Sequence, residues 1–110
     1  MDDTAIDRAT FNDLQETAGA DFVVELVDTF LEEAPQMLAE LRTALSAQDA
    51  EAFRRAAHSL KSNSLTFGAL SLAAMARELE LGGLADGPRL DALDEGYARV
   101  ATALKELCSG

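Results

Sequence analysis

The sequence predicts an all-α fold, an up-and-down antiparallel four-helix bundle with a short additional N-terminal helix, as a single domain over residues 1–110. Three observations predict it. Apolar residues recur at steps of three and four along most of the chain, the period of an amphipathic helix. No stretch alternates with period two for long enough to argue for a strand. Apolar residues make up 48% of the chain and aromatics only 5%, with no Trp and one Tyr, which suits an Ala/Leu-packed helical core better than a sheet. At 110 residues such a chain buries roughly two thirds of its unfolded surface, enough for one core and too little for two.

The elements follow in order. Asp7 is placed to cap a short helix carrying Phe11 and Leu14, and Gly19 offers its stop. From Asp21 the residues Val23, Val27, Phe30, Ala34, Met37, Leu41 and Leu45 form the seam of one long helix. Pro35 falls inside it and predicts a kink or break near Leu31 to Ala34. Phe22, Leu26, Leu31 and Leu38 widen the stripe, which implies burial between several helices or a patch kept for a partner. Asp49 caps the next helix, with seam Phe53, Ala57, Leu60, Ser64 and Phe67 and a stop at Gly68. A fourth helix carries Leu72, Met75 or Ala76, and Leu79, and breaks at Gly82-Gly83. A loop through Asp86-Gly87-Pro88 follows, Pro88 suiting the first turn of the last helix. There Leu90, Leu93, Tyr97, Val100, Leu104 and Leu107 keep the three-four alternation despite the helix-weakening Gly96.

Charge narrows the function. Asp and Glu number 20 against 9 Lys and Arg, a formal net charge of −11, so phosphate backbones and anionic lipids are repelled and neither nucleic acid nor a membrane surface is an expected partner. Cys108 is the one cysteine and forms no internal disulfide; a reduced, cytoplasmic setting is the simplest expectation. The start MDDTAIDRAT lacks the basic and apolar regions of a signal peptide, and no apolar run approaches the ~20 residues that span a bilayer. Met1 and the lack of linker sequence favour a free-standing protein, and a monomer is expected.

The one histidine, His58, lies about 160° around its helix from Leu60, so the seam faces inward and the imidazole faces water. Arg54, Lys61, Ser62 and Leu65 share its face. From Ala52 to Arg77 there is no Asp or Glu, although the chain has 20. Either this helix merely happens to carry basic charges, Arg54, Arg55, Lys61 and Arg77 among them, or the face meets something anionic.

His58-Ser59-Leu60-Lys61-Ser62-Asn63-Ser64, followed by Phe67-Gly68-Ala69, resembles the H-x-x-K-G-S-S…G-A signature of histidine-containing phosphotransfer (HPt) domains. The stretch DTFLEEAPQMLAELRTAL, Asp28 to Leu45, is similar to the family's second helix. The resemblance implies His58 as phospho-acceptor and Lys61 as the cation that offsets phosphoryl charge. Ser62 stands where the family usually has a glycine, which bears on how closely a partner docks; Arg54 takes a supporting place from its own position, one turn behind His58 in the basic window. Leu65, Arg55 and Gly68 are expected on the docking side, Gly68 also serving as a helix stop. Glu80 stands where the family often has a polar residue reaching back to the histidine ring; a solvated glutamate beside Glu78 is the other reading.

Phosphoryl transfer asks little of such a face beyond an in-line nucleophile and charge neutralisation. Neutral imidazole supplies the nucleophile. No G-x-x-x-x-G-K-[ST] or kinase-type glycine loop is present, so no ATP site is expected. One histidine and no cysteine pair suggest no His/Cys metal site, and no cofactor is expected; Mg²⁺ would come from the partner. That partner, by the resemblance, is a response-regulator receiver domain, with a hybrid histidine kinase as a further donor, and the chain is a relay intermediate rather than an enzyme acting alone. The alternatives are an HPt-like module that docks without carrying phosphate and a plain helical adaptor.

Overall fold

The computed structural model describes residues 5–84 and 87–109. Five helices make it up: α1 Arg8–Ala18, α2 Ala20–Ala47, α3 Ala50–Thr66, α4 Leu70–Gly82 and α5 Gly87–Ser109, with no strand among the described residues. α2 packs on α3, α3 on α4, α4 on α5 and α5 back on α2, closing an antiparallel four-helix ring, while α1 lies across α2 and α3. The 28 residues of α2 extend about 42 Å at the α-helical rise and set the 41 Å long axis.

The caps form where the sequence places them. Asp7 accepts from the Thr10 N–H and Asp49 from the Ala52 N–H, each satisfying an orphan donor of a first turn. Gly19 ends α1 at φ 97°. The seam residues Val23, Val27, Phe30, Ala34 and Leu41 of α2, and Phe53, Ala57, Leu60, Ser64 and Phe67 around α3, are all buried. Phe30 lies against both Phe67 and Tyr97, with ring centroids 5.3 and 6.0 Å apart, tying α2 to the α3–α4 turn and to α5. Pro88 lies in the first turn of α5. Asp86 lies outside the described residues.

Two expectations change. Of the kink or break expected at Pro35, the break does not occur: α2 continues through it. A proline there removes the N–H that would bond the Leu31 carbonyl; the Tyr97 hydroxyl of α5 donates to that carbonyl instead, at 3.3 Å, so the vacated acceptor is satisfied. Gly96, read as a weakness, is a close-approach position. A Cβ there would stand 3.2 Å from Met75 Sδ, so the bare backbone lets α5 settle against α4.

Candidate phosphoryl-transfer site on the α3–α4 face

Burial of Phe53, Ala56, Ala57, Leu60 and Ser64 fixes the rotation of α3 and turns His58 outward, its side chain 54% exposed. α4 is fixed likewise by Leu72, Ala73, Ala76 and Leu79. The turn at Phe67–Ala69 folds α4 back along α3, and Glu80, beside buried Leu79, reaches the face on which His58 and Lys61 stand.

Glu80 divides its carboxylate between them. Oε2 is 2.8 Å from His58 Nδ1, and Oε1 is 2.8 Å from Lys61 Nζ. The carboxylate is only 12% exposed and Lys61 22%, so both are partly shielded from water. Lys61 first, and His58 second, hold the Glu80 carboxyl below the ordinary carboxylate range against the opposing effect of burial. An ionised carboxylate only accepts hydrogen bonds. This network assigns the proton to Nδ1 and leaves the Nε2 lone pair available on the exposed ring.

The remaining candidates are distributed around this triad. Arg54 is held by Glu51 at 2.7 Å, and Arg55 approaches the same carboxylate at 4.0 Å. Ser62 is exposed, and its carbonyl accepts from the Thr66 hydroxyl. Leu65 is 47% exposed on the same side of α3. Gly68 is a correction: it is buried at φ +80°, its carbonyl accepting from the Asp7 N–H at 2.7 Å, so it is covered by the chain's own N-terminal segment and presents nothing to a partner. The acid-free window is likewise less basic in space than in sequence, because Glu51 and Glu80, just outside its ends, fold onto it. Glu51 was legible from its three- and four-residue spacing to Arg54 and Arg55; the Lys61–Glu80 pair, across two helices, carries no local signal. A groove of about 610 Å³ runs between α2 and α3, half of its lining alanine, Ala44, Ala52 and Ala56 among them, and the rest polar or charged, including Glu40, Asp49 and Arg55.

Residues 25–108 match the family profile described as the Hpt domain. The chain belongs to the Hpt domain family. Its fold matches histidine-containing phosphotransfer protein B (HptB) from Pseudomonas aeruginosa PAO1 with a TM-score of 0.89 and 31% identity, covering 98% of this chain and 97% of that one. It also matches the HPT domain of the Hpt sensor hybrid histidine kinase from Shewanella, with a TM-score of 0.79, 18% identity and the same coverage, a likeness of fold. No curated protein matches the sequence. Hpt domains are phosphotransfer modules of two-component phosphorelays rather than kinases with an ATP site, and this protein is a phosphorelay Hpt protein. Among its described residues no helix is long and apolar enough to cross a membrane.

Proposed function

We propose that this Hpt protein is a relay intermediate that accepts a phosphoryl group on His58 from a receiver-domain phospho-aspartate, or from a hybrid kinase, and passes it to a response-regulator aspartate. One observation carries the reading: Glu80 Oε2 sits 2.8 Å from Nδ1 of an otherwise exposed ring, which leaves Nε2 facing solvent as the nucleophile. In the loading step the Nε2 lone pair attacks phosphorus in line, the Nε2–P bond forms, and the P–O bond to the aspartate breaks with its electron pair leaving on the carboxylate. The ring becomes cationic as it attacks, and the Glu80 carboxylate on Nδ1–H stabilises that charge. Lys61, already beside Glu80, turns toward the phosphoryl oxygens as a point charge.

Mg²⁺ belongs to the receiver's acidic pocket in this reading. Exposed Leu65, Ser62, Arg55 and the α2–α3 groove frame the surface against which a receiver closes, and contacts of this kind are small and transient. The protein acts as a monomer in the cytoplasm.

The test is incubation with a phosphorylated receiver and Mg²⁺, wild type beside His58→Gln, following acid-labile, base-stable phosphate on this chain. Label on the wild type alone is expected. His58 is half exposed and the glutamine amide can still donate to Glu80, so the variant should stay folded; circular dichroism checks this, and a failure to label is then chemical. No label with any receiver, while one still binds, would replace this reading with a docking module that carries no phosphate.

A further inference from the structure

The four cations of the carboxylate-free window are not equally engaged. Arg54 and Arg55 lie 2.7 and 4.0 Å from the Glu51 carboxylate, and Lys61 lies 2.8 Å from Glu80. Arg77, exposed on α4, has no carboxylate within ion-pair distance among the described residues. Leu70, Ala74, Arg77 and Leu81 follow one another at steps of four, three and four and are all exposed, while Leu72, Ala73, Ala76 and Leu79 are buried. α4 therefore carries a second, outward stripe that is apolar but for the arginine. Of the five large apolar side chains exposed among the described residues, Leu70 and Leu81 are on this stripe and Leu65 stands on α3 one turn beyond Lys61, so most of the exposed apolar surface borders the histidine face.

We propose that this outer edge of α4, with Arg77 at its centre, docks the receiver that exchanges a phosphoryl group with His58, Arg77 pairing with a carboxylate on the receiver and Leu65 and Leu81 packing against an apolar side chain beside it. Resting on the relay reading of His58, this adds to it the surface that selects the partner.

Position and size support the assignment. His58 leans to the α4 side of α3, where Glu80 holds its ring, and away from the α2–α3 groove, whose lining includes Arg55 and Ser59 but not His58. Arg77 lies about 60° around α4 from Glu80 and about 4.5 Å along it, whereas Glu78 lies about 160° around, on the side away from His58. Even a small transient interface covers roughly 600 Å² of each partner, a patch on the order of 25 Å across, and packed helices are about 8–10 Å apart. A receiver centred on Nε2 therefore covers Arg77 and Leu81.

Charge selects the occupant. On a chain with 20 Asp and Glu against 9 Lys and Arg, an exposed arginine without a paired carboxylate favours an acidic partner surface, and the pocket around a phospho-aspartate is acidic. A second copy of this chain meeting edge to edge would set Arg77 near its own symmetry mate, and an anionic lipid surface is repelled by the rest of the molecule.

The experiment uses the full chain, labelled on His58 with phosphoramidate, and follows transfer of the label to receiver domains at rising receiver concentration. Wild type is compared with Arg77→Glu, Arg77→Lys and Leu81→Ser; both positions are exposed, and circular dichroism with the extent of phosphoramidate labelling checks that the fold and His58 are intact. In Arg77→Glu the rate at low receiver concentration is expected to fall about tenfold with the rate at saturation unchanged, the loss shrinking in about 1 M salt, where charges are screened beyond about 3 Å. Arg77→Lys keeps most of the rate, and Leu81→Ser lowers it about threefold at either salt concentration. Transfer by Arg77→Glu at the wild-type rate, or a loss confined to the rate at saturation, would overturn the proposal and leave the relay standing. If no receiver takes the label from wild type, binding decides: a receiver bound by wild type and about tenfold more weakly by Arg77→Glu supports the docking edge and removes the relay, while equal binding, or none, removes both. A wild-type dimer in sedimentation that Leu81→Ser dissociates would assign the edge to a second copy instead.

Discussion

Gly68→Ala distinguishes a structural glycine from a docking one. The residue sits at φ +80°, and a Cβ built on it would stand 2.8 Å from the Asp7 carbonyl oxygen and 2.9 Å from Thr10 Cβ. Two costs combine. Positive φ costs an L-residue about 1–2 kcal/mol, and forcing a methyl into occupied space costs about 1–3 kcal/mol. Neither neighbour yields easily, since one is backbone and the other belongs to the first turn of α1, where the Thr10 hydroxyl is bound to Asp7 at 2.6 Å. The sum, about 2–5 kcal/mol, corresponds in a domain of this size to a fall in Tm of roughly 10 °C or more. Urea unfolding followed by circular dichroism reads it directly, and labelling of His58 below the transition should persist, because the substitution lies at the far end of α3. A loss under about 1 kcal/mol, or receiver binding weakened at unchanged stability, would refute this account and return Gly68 to the partner surface.

Two further substitutions probe the interior. Tyr97→Phe leaves the Leu31 carbonyl without its donor and should cost about 1 kcal/mol; in a Pro35→Ala background, where the residue 35 N–H is restored to bond that carbonyl, the cost should fall by at least half, and equal losses in the two backgrounds, measured as a double-mutant cycle in urea, would sever the link between the proline and the tyrosine. Ser64 is fully buried with a hydroxyl that meets no partner among the described residues, so Ser64→Ala should raise stability by about 1 kcal/mol, and a lower urea midpoint would show that the hydroxyl is satisfied after all.

The helices were legible because their information is local: Asp7, Asp49 and Gly19 act within a turn, and the seams of α2, α3 and α5 declare their period without reference to any other segment. The outward direction of His58 followed from the same arithmetic. What the sequence withheld were the consequences of packing. Pro35 reads as a break until Tyr97 is seen to supply the donor. Gly96 reads as a weakness until Met75 is seen against it. Lys61 reads as a cation awaiting phosphate until Glu80, 19 residues on, is found beneath it. Gly68 reads as part of a docking motif because His58, Ser62 and Leu65 of the same stretch face outward, and only tertiary structure shows the N-terminal segment lying over it.

The repair of α2 by α5 also bears on how the molecule assembles. The middle of the longest helix lacks one rung of its own ladder, and the replacement comes from a side chain 66 residues away. Until the final helix docks, that carbonyl is left to water, and the turn of α2 around Pro35 lacks one of its hydrogen bonds. A defect placed at the centre of the first long helix therefore makes its completion conditional on the last one, which couples the two ends of the chain into one cooperative unit and penalises any intermediate in which three helices have gathered without the fourth.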